Sequence, residues 1–149
     1  MVEIKNLYID MDGVLADFNS EPNGVERFRN EKGFFRHLKP LKKNAKALRK
    51  TIKEGVHNVF ILSASPNQRA DKEKLTWLRV HKIKVKTTNI IFCRNGDIKA
   101  HFMKTESGIL FDDYGKNIRE WLEDNVKNGA FKIEEDGSLE RALKIIDMI

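Results

Sequence analysis

Ile4-Lys5-Asn6-Leu7-Tyr8-Ile9-Asp10-Met11-Asp12-Gly13-Val14-Leu15-Ala16-Asp17-Phe18 is the stretch on which the reading of this chain turns. A short apolar run ends in Asp10, skips one residue to Asp12 and breaks at Gly13. Residues i and i+2 of a strand point the same way. Both carboxylates therefore leave the strand end on one side, where the chain turns. Like charges that close are costly unless a proton or a bound cation neutralises one. Asp-Gly is also an ordinary turn signal, so a solvated strand-to-turn junction stays open on this stretch alone. A calcium loop does not. Asp10, Asp12 and Glu21 would hold its first, third and twelfth positions, but Val14 takes a ligand position and the glycine comes fourth rather than sixth.

Working outward, the 149 residues fit one domain with a real core. Cys93 is alone, which excludes an intramolecular disulfide and a cysteine zinc site. His37, His57, His81 and His101 are scattered without ligand spacing and read as surface or packing residues. With no signal peptide and no apolar run of membrane-spanning length, a reducing cytoplasmic compartment and no membrane partner are expected. Net charge is +6, and basic residues concentrate between 36 and 53. That run could attract an anion or nucleic acid. Leu41, Ala45, Leu48 and Ile52, however, recur at helical spacing, which puts most of the lysines on the solvated face of an amphipathic helix.

Strands are predicted over 4–10, 56–64, 89–93, 108–111 and, briefly, 130–133. Helices are predicted over 41–54, closed by Gly55, over 66–80, with Pro66 in its first turn, and over 114–127. Ser138 caps a last helix. Leu75, Trp77 and Leu78 supply the buried face of the second helix; Tyr114, Ile118, Trp121, Leu122 and Asn125 mark one face of the third. Residues 19–40, with Pro22, Asn23-Gly24, Gly33 and Pro40, form a small insertion over the end of the first strand. Alternating strands and helices mean βαβ crossovers and a three-layer α/β architecture: a mostly parallel sheet with helices on both faces.

In open parallel sheets, ligands sit beyond the carboxyl ends of the strands. The first strand ends in Asp10 and Asp12, the second in Ser63, the fourth in Asp112 and Asp113. A lysine, Lys99 or Lys104, shortly precedes the fourth. Each alone is unremarkable; together they gather carboxylates, a hydroxyl and an ammonium on one rim. Clustered carboxylate oxygens suit Mg²⁺, which keeps waters and phosphate oxygens as its other ligands. Such a site is built for phosphoryl transfer, which needs charge neutralisation and in-line positioning. One aspartate can attack phosphorus while the other protonates the leaving oxygen and later deprotonates water. That division asks for Asp10 ionised on the metal and Asp12 able to carry a proton.

Asp10-Met-Asp-Gly-Val, Ile61-Leu-Ser63, the upstream lysine and Leu110-Phe-Asp-Asp113 occur in an order that resembles the haloacid dehalogenase (HAD) superfamily of phosphohydrolases, with its Rossmann-like sheet. The first motif, and the Asp-Asp-Tyr-x-x-Asn run followed by Trp121 and Asn128-Gly129, most resemble the 5′(3′)-deoxyribonucleotidases and their short bacterial and phage relatives. The resemblance implies Asp10 as nucleophile and Mg²⁺ ligand, and Asp12 as general acid/base lending its backbone carbonyl to the metal. It implies Ser63 on a phosphoryl oxygen, Asp113 on Mg²⁺ and Asp112 supporting it directly or through water. Lys99, opening Lys-Ala-His-Phe-Met, is favoured over Lys104 as the phosphate-binding lysine. Phe18 matches an aromatic near the nucleoside base; a core Phe at a flap hinge is the equal alternative.

The expected protein is a Mg²⁺-dependent phosphomonoesterase, a 5′-nucleotidase for (deoxy)nucleoside monophosphates acting through an aspartyl-phosphate. Its partner is a small phosphomonoester, and it works as monomer or homodimer. The alternative is a phosphatase for nucleic-acid 3′-phosphate ends or another small phosphomonoester. Ser63-Ala64-Ser65-Pro66 is one residue longer than the Thr-Ser-Pro of the mammalian enzymes, and the 19–40 cap is much shorter than theirs. In this superfamily the cap largely sets the substrate.

Overall fold

The computed structural model describes residues 3–149. Its organising element is strand β1 (Asn6–Ile9), with Leu7, Tyr8 and Ile9 fully buried. It is shorter than the 4–10 run: pairing begins at Asn6 opposite Asn58, and Ile4 is exposed. β1 lies between β2 (Asn58–Ser65) and β4 (Ile109–Asp112), with β3 (Ile90–Arg94) and β5 (Gly129–Lys132) at the edges. All neighbouring pairs are parallel, in the order β3-β2-β1-β4-β5. The chain steps outward through β2 to β3, then crosses back to the other side of β1. The strand order therefore reverses between β1 and β4, where an open parallel sheet leaves a crevice at its carboxyl edge.

Alternation along β1 divides the core. Leu7 and Ile9 face Leu48 of α2 (Lys42–Glu54), Trp77 of α3 (Gln68–Val80) and Leu139 and Leu143 of α5 (Ser138–Met148). Tyr8 faces the other way, with Phe60, Leu62, Leu110 and Trp121 of α4 (Gly115–Asp124). Tyr8 stacks on Phe60 at 4.5 Å between ring centroids. This is the three-layer α/β arrangement with helices on both faces of a parallel sheet. The lysine-rich stretch forms α2: Asn44, Ala45 and Leu48 are buried, while Lys42, Lys43, Lys46, Lys50 and Lys53 point to solvent. Buried Asn44 fastens α2 to both flanking loops, donating to Val14 O and accepting from the Gly137 and Leu139 amides.

Helix ends differ from expectation where a side chain competes for the terminal amides. Asn67 caps α3, its Oδ1 accepting from Ala70 N at 2.9 Å, so the helix starts at Gln68, two residues later than Pro66. Ser138 is the first residue of α5 rather than its cap. Left-handed Gly137 precedes it, and the Ser138 hydroxyl accepts from Glu135 N. α4 stops at Asp124 because Asn125 turns the chain, its Oδ1 accepting from Lys127 N. The apolar face of α4 is also narrower than the sequence pattern suggests: Trp121 is buried, but Tyr114 and Leu122 are exposed. On α3, Leu75 is only half-buried, and the inward face instead carries Glu73 and Lys74.

Residues 19–40 hold a single helical turn, α1 (Gly24–Arg27), and Phe28, Phe34 and Phe35, which form an aromatic knot packed edge to face with the preceding Phe18. The two ends of the segment are pinned together, since Asp17 N donates to Lys39 O and Leu41 N to Leu15 O. Helix α3 holds its middle. Glu73 accepts from the amides of Gly33 (2.8 Å) and Phe35 (3.2 Å), and Trp77 Nε1 donates to Leu38 O. Together these contacts fix the segment over the carboxyl edge of the sheet, where Phe18, Val25, Phe28 and Phe35 wall a cleft.

Candidate active site

The cleft has a volume of about 630 Å³, with Asp10, Asp12, Lys99, Asp112 and Asp113 among its lining residues. β1 delivers Asp10, whose amide continues the ladder by donating to Phe111 O on β4. β4 ends in Asp112 and Asp113, so the acids of both strands meet at the reversal point. Beyond β1 the chain closes a tight loop in which the amides of Val14, Leu15 and Ala16 all donate to Met11 O. Gly13 makes that loop possible twice over. Its φ is +81°, and a Cβ there would collide with Asp113 Oδ2. The Asp-Gly pair is thus a turn and a close approach to a third carboxylate at once.

On the β4 side, one oxygen from each of Asp10, Asp112 and Asp113 lies within 4.8 Å of the others. Lys99 neutralises part of this charge: its Nζ is 3.0 Å from Asp10 Oδ1, 2.8 Å from Asp112 Oδ2 and 3.2 Å from Leu62 O. Asp112 is completely buried and further held by Tyr114 N and Asn117 Nδ2. Asn19 Nδ2 donates to Asp113 Oδ2 at 3.2 Å. Burial pushes the Asp10 carboxyl well above the ordinary range, and the Asp112 charge adds to it against the pull of Lys99. Burial likewise pushes Asp113 up to about 6, opposed by Asn19 and assisted by Asp112. Burial alone would lower Lys99, but Asp10 and Asp112 reverse that and hold it above the ordinary lysine value. Three carboxylates against one ammonium leave negative charge uncompensated. An all-oxygen set of this kind fits a hard divalent cation.

On the β2 side the surroundings of Asp12 differ. Its carboxylate is 22% exposed, and Oδ2 accepts from Lys74 Nζ at 2.9 Å. Lys74, itself fully buried, also donates to Ser63 Oγ and Ala64 O, both at 2.8 Å. Sequence reasoning missed Lys74, although a signal exists. Ala70, Lys74, Trp77 and Leu78 share one helical stripe, and an ammonium amid apolar positions needs a buried partner.

Asp10, Asp12, Phe18, Lys99, Asp112 and Asp113 all reach the cleft. Lys104 stands outside, exposed, with its Nζ on Thr88 O. Ser63 lies beneath the wall, completely buried, while Ala64 lines the cleft. Asn19 and Asn117, which orient the acids of β4, also line it.

Parallel sheet, strand-end carboxylates and buried lysine define a HAD-superfamily phosphohydrolase. The model of the family described as "5′ nucleotidase, deoxy (Pyrimidine), cytosolic type C protein" matches residues 19–128. The chain belongs to that family and is a phosphomonoester hydrolase of nucleotidase type. Asp10 and Asp12 lie just before the matched span and rest on the geometry given above. Among solved structures, a chain of the Pnkp1/Rnl/Hen1 complex is similar at TM-score 0.64 and 17% identity. That match covers 89% of this chain and 47% of that one, so this chain spans about half its length. The HAD domain of effector protein Lem4 from Legionella pneumophila is similar at TM-score 0.57 and 16% identity, covering 96% and 93% of the two chains. An inactive mutant of the same domain gives TM-score 0.56 at 17% identity, over 98% and 93%. At these identities the likeness is one of fold. No curated protein matches the chain. Among the described residues, no helix is long and apolar enough to cross a membrane.

Proposed function

We propose that this protein is a Mg²⁺-dependent 5′-nucleotidase that hydrolyses (deoxy)nucleoside monophosphates to nucleoside and phosphate through an aspartyl-phosphate on Asp10. The observation that carries this reading is the split rim: an acid cluster around Lys99 on one side, a separately held Asp12 on the other, and an aromatic wall above both. In this reading residues 1–149 form one HAD-like domain, with 19–40 as its small cap, acting in the cytoplasm as monomer or homodimer.

Asp10, Asp112, Asp113 and the backbone carbonyl of Asp12 would hold Mg²⁺, which when bound offsets the charge of the acids and of the phosphoryl oxygens. Asp10 Oδ attacks phosphorus, and the bond from phosphorus to the leaving oxygen breaks. Asp12 gives its proton to that oxygen, so the nucleoside departs neutral. Water then attacks the aspartyl-phosphate, Asp12 takes its proton, and Asp10 is released unchanged. Lys99 holds Asp10 in place and lends positive charge to the phosphoryl group. Ser63, completely buried beneath the wall, accepts from Lys74 and so supports the β2 side of the site from below, in place of the phosphoryl contact that the resemblance implies for it. Phe18 and its aromatic neighbours suit a flat, partly apolar base.

Phosphate release across ribo- and deoxy-, 5′- and 3′-monophosphates, with and without Mg²⁺, tests this. Release from 5′-dNMPs that needs Mg²⁺ is expected. A clear preference for 3′-phosphorylated oligonucleotides would replace the nucleotide assignment, and full activity in Asp10→Asn would overturn the mechanism.

A further inference from the structure

One ammonium, Lys74 Nζ, spends all three of its hydrogens inside the site, on Asp12 Oδ2, Ser63 Oγ and Ala64 O. The side chain is completely buried, and the ring of Phe35 lies over the ammonium at 4.6 Å from its centroid. The other Asp12 oxygen, Oδ1, is buried and meets no hydrogen-bond donor among the described residues. An unpartnered buried carboxylate oxygen costs free energy, and its persistence beside a cleft marks an atom kept for a ligand or a proton.

Resting on the mechanism proposed above, we infer that Lys74 is the positioning residue of the acid/base. By holding Oδ2 it makes Oδ1 the oxygen that gives a proton to the leaving group and later takes one from water. The same ammonium turns Ser63, because a hydroxyl that accepts from Lys74 must point its hydrogen elsewhere. Lys74 keeps its three protons through both half-reactions; the proton that moves is the one on Asp12 Oδ1. Its neighbour Glu73 holds the amides of Gly33 and Phe35, so one turn of α3 sets both the acid and the cap residue above it.

The test compares two leaving groups. A nucleoside 5′-hydroxyl is a poor leaving group and needs the acid, whereas p-nitrophenolate leaves without it. kcat/KM covers the steps up to expulsion of the leaving group. For Lys74→Met, kcat/KM on a 5′-dNMP should fall on the order of 10²-fold, while that on p-nitrophenyl phosphate falls less than about tenfold. Adding Asp12→Asn to Lys74→Met should cost little more on the dNMP than Asp12→Asn alone. If Lys74→Met does not fold by circular dichroism, Lys74→Gln, which keeps a donor near Asp12 without the charge, carries the comparison and should show the same leaving-group dependence in milder form. Equal losses on both substrates, or fully additive losses with Asp12→Asn, would overturn the inference and leave Lys74 a structural residue. Wild-type protein that cleaves another alkyl phosphate but no nucleotide would overturn the nucleotide assignment alone, and the same variants would then be read on that substrate. Wild-type protein silent on every phosphomonoester would overturn both.

Discussion

Lys99 and Lys74 both lie buried under one cleft, yet they hold different kinds of acid. On the β4 side, Lys99 sits between Asp10 and Asp112, with Asp113 close by, and the acids outnumber it. On the β2 side, Lys74 meets the single carboxylate of Asp12, and its other hydrogens go to a hydroxyl and a carbonyl. The first region is short of positive charge and suits a cation or a phosphoryl transfer. The second is balanced and suits a carboxylate that must keep its direction while its proton comes and goes. Two aspartates, two residues apart on the same strand end, thereby have different surroundings, and the proposed division of labour rests on that difference rather than on their sequence.

The most severe break of this contrast is Asp10→Asn. It leaves Lys99 paired with Asp112 and so spares the fold, but removes the proposed nucleophile. Phosphate release should fall by more than ~10³-fold with the melting curve nearly unchanged. Lys99→Met should act the other way, on the fold as well. It strips the partner from two buried carboxylates, and chemical denaturation without metal should show a loss of about 3–5 kcal/mol. Lys74→Met, which releases a partly exposed carboxylate, should cost the fold less than Lys99→Met does.

pH sharpens the same contrast. The Asp10 and Asp113 carboxyls are raised in the folded protein, Asp113 to about 6, so the folded state holds their protons more tightly than the unfolded chain does. Their contribution to stability is present in full below the ordinary carboxyl range; that of Asp113 is lost as pH rises through about 6, and that of Asp10 as pH rises well above the ordinary carboxyl range. Metal-free protein should therefore lose that contribution to its melting temperature over this interval. Mg²⁺ should restore it, with a gain that grows as pH passes 6. A Mg²⁺ effect independent of pH would separate the cation from these acids.

Smaller effects concern the walls. Phe18→Leu keeps an apolar contact but removes a ring that packs edge-on against Phe28 and Phe34. KM for a nucleotide should rise by roughly three- to tenfold, with kcat for p-nitrophenyl phosphate little changed. Lys104→Ala, on an exposed lysine outside the cleft, should leave kcat/KM within about twofold of wild type.

Much of this was legible in the chain. β1, β2 and β4 could be read because buried parallel strands are continuous apolar runs, and Asp10, Asp12, Asp112 and Asp113 because they terminate those runs. α2 could be read through its lysines because Ala45 and Leu48 keep helical spacing beneath them. Lys74 was not found because its partner Asp12 is 62 residues away, and a lysine in a charged helix looks like every other solvated lysine until its stripe is drawn. The depth of Ser63 was equally hidden. Sequence places it at the strand end, but only the packing of α3 over β2 decides that Ala64, not Ser63, lines the cleft. Helix starts were misplaced where Asn67 and Gly137 took the terminal amides or the turn, a contest among neighbouring side chains that periodicity does not register.

Trapping the covalent intermediate tests most directly the division of labour between the two aspartates. Asp12→Asn turning over p-nitrophenyl phosphate with Mg²⁺ can still expel its leaving group but lacks the base that activates water, so phosphoryl-enzyme should accumulate. After acid quench and proteolysis, mass spectrometry should place the phosphoryl group on Asp10. A phosphoryl group on any other residue, or turnover with no covalent phosphoryl-enzyme at all, would contradict the assignment of Asp10 as nucleophile and Asp12 as its acid/base.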